Sequence, residues 1–150
     1  MSKPLQSTQR RSRHVFFVDE NLGSAKLPGL LRTAGYKVVT HLERYGKVEG
    51  IGDPIIIADC GKAKTILLTA DGDLETTWAA EILAAKLSVV ILTNNKDGAV
   101  KWGERLAKGR SEIIEYLRKY KSPCSIRFGC NAKVSKVRLY GPRRARVIVI

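Results

Sequence analysis

The stretch His14-Val15-Phe16-Phe17-Val18-Asp19-Glu20-Asn21 decides how the chain is read. Its apolar run is too short for a helix, and its β-branched and aromatic residues suit a pleated, buried surface. It predicts a central strand that ends on two carboxylates. Two more runs repeat the pattern: Thr65 to Thr69 leads into Ala70-Asp71-Gly72-Asp73, and Ser88 to Thr93 leads into Asn94-Asn95-Lys96. Tyr36 to Thr40 is a further strand.

Helical segments separate these runs. Leu27 to Ala34 carries Pro28 near its first turn and has Gly35 past its end, the expected asymmetry of a helix start and stop. After a polar loop over His41 to Gly52, Asp53 as N-cap with Pro54 in first position predicts a helix to about Lys62. Glu75 to Leu87 places Trp78, Ala79, Ile82 and Leu83 on one face. Strands alternating with helices predict an α/β fold, a parallel central sheet of about four strands with helices on both faces. A last helix is expected over Asp97 to Tyr120, with Gly103 and Gly109 as points where it can break, and Ser122-Pro123 ends it.

Three sections follow: a basic tail at 1–13, an α/β domain at 14–122, and a basic extension at 123–150. In the extension, Ser125 to Cys130, Val134 to Tyr140 and Arg144 to Ile150 are short alternating segments suited to antiparallel strands. The chain of 150 residues is long enough for one self-sufficient core. Cys60, Cys124 and Cys130 are an odd count with no metal-binding spacing, which argues against a disulfide framework and a zinc knuckle. With no secretory leader and no apolar run of spanning length, a cytoplasmic protein without membrane contact is expected.

Charge locates the chemistry. The net charge of +13 divides into +4 over residues 1–13, −2 over 14–95 and +11 over 96–150. An acidic middle between basic ends suits a protein that cages cations while drawing in a polyanion, which points to nucleic acid as partner. Parallel strands gather the loops at their carboxyl ends on one edge, so Asp19, Asp71 and Asp73, with Asp53 nearby, are expected to converge there. Clustered carboxylates repel one another unless a cation neutralises them. Mg2+ or Mn2+ answers that need, being hard ions that take oxygen ligands and retain water.

Phe17-Val18-Asp19-Glu20-Asn21-Leu22, Gly35-Tyr36-Lys37-Val38-Val39, the helix-opening Asp53 and Leu68-Thr69-Ala70-Asp71-Gly72-Asp73-Leu74 together resemble the short PIN-like proteins related to toxin ribonucleases of toxin–antitoxin pairs. The resemblance covers about residues 14–93. It implies a metal-dependent endoribonuclease with Asp19, Asp53, Asp71 and Asp73 as catalytic metal ligands, Glu20 as a further carboxylate and Thr69 as a positioning hydroxyl. It also implies RNA as substrate and an antitoxin protein as partner; a homodimer is a further option. The chain departs from the family pattern at Leu74, where an aromatic is usual, and at Pro54, where a polar residue is usual.

Other residues are read from position alone. Asn94 follows the last parallel strand as a positioning amide, and Lys96 beside it suits a phosphate. Arg127, Lys133, Lys136, Arg138, Arg143, Arg144 and Arg146 are candidate phosphate contacts on the extension. His14 and His41 carry no specific signal, and Trp78 and Trp102 suit core packing better than base stacking. Three other functions fit parts of the pattern. A topoisomerase–primase type metal fold would pair Glu20 with Asp71 and Asp73, but it leaves Asp53 idle and the expected glycine pattern is missing. A noncatalytic RNA-binding module would use the basic ends and leave the acids structural. A receiver-like phospho-acceptor would place one acceptor Asp directly at the end of the third strand, where Thr69 and Ala70 intervene instead.

Overall fold

The structure, a computed structural model, describes residues 14–93 and 97–150. The expected positions Asn94 and Lys96, and the basic tail at 1–13, lie outside the described residues. In chain order the regular elements are β1 (Val15–Val18), α1 (Lys26–Thr33), β2 (Lys37–Thr40), α2 (His41–Tyr45), α3 (Asp53–Ala63), β3 (Ile66–Thr69), α4 (Leu74–Thr77), α5 (Ala79–Ala85), β4 (Ser88–Leu92), α6 (Ala99–Lys119), β5 (Cys124–Phe128), β6 (Val134–Leu139) and β7 (Arg146–Val149). A 3-10 turn, Glu20–Leu22, follows β1.

The strands form a single sheet in the order β2-β1-β3-β4-β5-β6-β7. Its first five positions are joined in parallel, and β6 and β7 complete it antiparallel. The sheet thus has seven strands rather than about four. The difference arises at β5, which pairs with β4 in parallel through Val90↔Ile126 and Leu92↔Phe128 and with β6 antiparallel through Ile126↔Val137. Ser122-Pro123 and the change to an alternating polar pattern look like a boundary in sequence. Here they mark only the return from α6 into the same sheet.

Alternation along β1 distributes its side chains between two cores. Phe16 and Val18 join Leu27, Leu31, Leu68, Leu92, Trp102, Leu106 and Phe128 under α1 and α6. Phe17 joins Ile57, Cys60, Leu67, Ile82 and Ile91 under α3 and α5. Each large side chain buried in this way contributes about 1.5–3 kcal/mol, and β1 and β3, covered on both faces, read as continuous apolar runs for that reason.

Local differences from the sequence reading have local causes. Thr40 and Glu43 form a reciprocal capping box that starts α2 inside the expected polar loop. The helix expected over Glu75 to Leu87 divides at Trp78 into α4 and α5, after the weak helix formers Thr76 and Thr77. By contrast α6 runs unbroken through Gly103 and Gly109. There glycine allows close packing: a Cβ at position 109 would stand 2.4 Å from the Phe128 ring, and one at 103 would stand 2.9 Å from Leu30.

Candidate active site

Asp19 and Asp71 reach one edge because β1 and β3 run level, with Phe17 opposite Leu67 and Val18 opposite Leu68. The Asp19 N–H donates to the Leu68 carbonyl at 2.9 Å and carries the pairing one residue beyond β1. Thr69, fully buried at the end of β3, donates its hydroxyl to Asp19 Oδ2 at 2.9 Å and accepts the Asp71 N–H at 3.1 Å. A single hydroxyl therefore fixes the first acid and the start of the second acidic loop. Asp71 Oδ1 then accepts the Asp73 N–H at 3.0 Å, an Asx turn that shapes Asp71-Gly72-Asp73.

Asp53 arrives from the far end of the α2–α3 connection. It is the first helical residue of α3, behind an N-cap at Gly52, so the helix starts one position earlier than expected and Asp53 is not its cap. Burial pushes the Asp19 carboxyl above its ordinary pKa; the Thr69 hydroxyl and the Glu20 N–H draw it down, and the charges of Asp53 and Asp71 push it up. These three acids share one electrostatic neighbourhood. Among the described residues, however, no three His, Cys, Asp or Glu side chains stand close enough to form a ready-made ion cage. Asp73 and Glu20 are exposed. Glu20 Oε2 lies 3.6 Å from Nδ1 of His41, a buried ring packed against Phe17 and Tyr45.

The residue that sequence reading missed is Glu75. It is 3 % exposed although acidic. Arg127 donates from Nε to Glu75 Oε1 at 2.7 Å, Ser125 donates to Oε2 at 2.7 Å, and Arg138 Nε stands 3.6 Å from Oε2. Tyr140 donates to the Glu75 backbone carbonyl at 3.0 Å. Arg127 also donates from Nη2 to the Gly72 carbonyl at 2.8 Å. A buried charge survives only with such partners, and the network ties the Asp71–Asp73 turn to β5 and β6. The available signal was spacing: Ser125 and Arg127 stand two apart on one face of the otherwise apolar β5, and Arg138 and Tyr140 are two apart at the end of β6.

The basic candidates therefore divide. Arg127 and Arg138 face Glu75, Lys136 is half-buried on β6, and Lys133, Arg143, Arg144 and Arg146 are exposed. No helix among the described residues is long and apolar enough to cross a membrane. The chain matches no protein-family model, no curated protein and no solved structure.

Proposed function

We propose that this protein is a metal-dependent endoribonuclease of PIN-like type, cleaving phosphodiester bonds at the carboxyl edge of its parallel strands. One observation carries the reading: a desolvated Asp19 held beside Asp53 and Asp71 in a chain of net charge +13. Such a group resists ionisation until a cation arrives, and a hydrated Mg2+ or Mn2+ needs only one or two carboxylates plus a substrate phosphate, not a complete protein cage. Bound there, the ion supplies positive charge that activates water and offsets the charge on the leaving oxygen.

The protein's own residues do the positioning. Thr69 orients Asp19 and Asp71 together, the Asx turn holds the Asp73 backbone against Asp71, and the exposed Lys133, Arg143, Arg144 and Arg146 draw in the RNA backbone. A toxin role, with an antitoxin as binding partner, belongs to the same proposal. The alternative is a noncatalytic RNA-binding module with a degenerate acidic site, which the +11 carried by residues 96–150 would suit as well.

The test is a melting titration with Mg2+ and Mn2+, run alongside cleavage of a fluorescent single-stranded RNA. Wild type should gain several degrees in Tm when the ion reaches about 100-fold its Kd, a stabilisation of about 2.7 kcal/mol. Asp19→Asn and Asp71→Asn should lose both that gain and cleavage while retaining RNA binding. RNA binding with neither cleavage nor a metal response in wild type would establish the noncatalytic module instead.

A further inference from the structure

At the amino edge of the parallel strands, away from the acids, a cleft of about 670 Å3 opens between the starts of β3 and β4 and the end of α6. Ile66 lines it from the first position of β3, and Thr69 ends that strand, so about 10 Å of strand separates the cleft from the acidic edge. The volume is that of a small-molecule site. Ile66, Leu87 and Leu117 give it an apolar floor, and Ser88 and Ser122 bring hydroxyls.

No Asp or Glu lines this cleft, whereas Lys64, Lys86, Arg118 and Lys121 all do. They come from separate elements: Lys64 caps α3, Lys86 caps α5, Arg118 lies in the last turn of α6 and Lys121 just beyond it. All are exposed, and among the described residues none has a carboxylate partner. Cations at helix ends ordinarily serve the unmet carbonyls there. Here backbone donors already meet them: the Lys64 and Thr65 N–H groups donate to the Cys60 carbonyl, and those of Lys86 and Leu87 to the Ile82 carbonyl. Both capping lysines, moreover, hold left-handed backbone, with φ of 56° and 52°, where glycine is usual. The two charges stand where glycine would close each helix with less strain.

We propose that this cleft binds a small organic phosphate carrying two or more charges at one end, with the chemistry of a nucleoside diphosphate. Unpaired cations around one concavity repel one another, and a multiply charged anion relieves that repulsion. A diphosphate concentrates its charge at one point and leaves an organic body for the apolar floor. An RNA strand carries one charge per phosphodiester and spreads it along a surface instead. The Arg118 fork suits paired phosphate oxygens, and the lysines act as point charges around them. The site is independent of the nuclease reading.

The test uses the full chain in EDTA at about 0.15 M salt, which screens diffuse attraction to a basic surface, and follows the backbone amides of Thr65, Leu87 and Lys121 by NMR. ADP and inorganic pyrophosphate, titrated separately to millimolar concentration, should shift these amides saturably, and adenosine should not. Lys64→Gly with Lys86→Gly suits the left-handed backbone, so the double variant should fold. It should bind ADP at least about tenfold more weakly. Changing Arg143, Arg144 and Arg146 to Gln lowers the charge elsewhere and should leave ADP affinity within about twofold.

No saturable shift with ADP or pyrophosphate, or ADP affinity unchanged in the folded lysine variant, would overturn the phosphate site. An equal shift from adenosine would also overturn it, because the apolar floor alone would then be the binding element. A shift of these amides by a single-stranded RNA without terminal phosphate, with ADP silent, would make the cleft part of an RNA surface instead. The titration needs neither metal nor turnover, so its outcome is separate from that of the cleavage assay.

Discussion

The Arg127 guanidinium donates to the Gly72 carbonyl at 2.8 Å, so a residue of β5 holds the turn that carries Asp71 and Asp73. The same side chain pairs with buried Glu75 just after that turn. The strands after Ser122 thereby act on the acidic edge without contributing an acid to it.

Arg127→Ala removes the Gly72 hydrogen bond and leaves Glu75 with Arg138 as its nearest remaining cation, at 3.6 Å. Urea denaturation should record a loss of about 1–3 kcal/mol, the cost of removing one partner from a buried carboxylate that keeps Ser125 and Arg138. Arg127→Met with Glu75→Gln removes both charges and should recover much of that stability. Metal affinity should remain weakened in the double variant, because the turn still lacks its anchor. A metal response restored to wild type would show that Arg127 stabilises the fold without positioning the acids.

Asp19 sets an expected pH dependence. Its pKa in the folded chain lies above the unfolded value, with burial the principal cause. The folded chain therefore keeps the proton at pH values where the unfolded chain has lost it. Metal-free stability should fall as pH rises from the ordinary aspartate range through the raised folded value, then level off for this group. Asp19→Asn keeps an acceptor for Thr69 but carries no charge, so at neutral pH in EDTA its Tm should exceed wild type by roughly 2–5 °C. Saturating Mg2+ should reverse the order. A lower Tm for the variant in EDTA would mean that the carboxylate is not strained by its surroundings.

What the sequence made legible follows from period and punctuation. The apolar runs ending at Val18, Thr69 and Leu92 lie in parallel strands, and Asp19 and Asp71 follow two of them to one edge, because buried strands and their exits leave strong local signals. The place of β5 was not legible. Cys124–Phe128 alternates as an edge strand would, and only pairing across the sheet shows that it lies between β4 and β6. Glu75 was hidden for a related reason: an acid in the first turn of a helix is ordinary, and its partners are 50 or more residues away.

Charge reversal on the last turn and strand separates RNA binding from packing. Deleting everything after Pro123 would strip β4 of its neighbour and remove Ile126 and Phe128 from the core, so deletion would unfold the chain whatever the segment binds. Arg143, Arg144 and Arg146 are exposed, and changing all three to Glu leaves the apolar side chains of β5, β6 and β7 in place. The triple variant should therefore melt close to wild type. If the three arginines contact phosphates of single-stranded RNA, each lost contact removes about 0.7 from the slope of log affinity against log salt, about 2 in all. Affinity should fall most at low salt and converge toward wild type as salt rises. Arg127 and Arg138 face Glu75 and should supply little of this slope, which makes the triple variant the sharper measurement. Equal binding by the folded triple variant and wild type at both low and high salt would remove this segment from the RNA interface, leaving the exposed lysines of the remaining surface to supply the affinity.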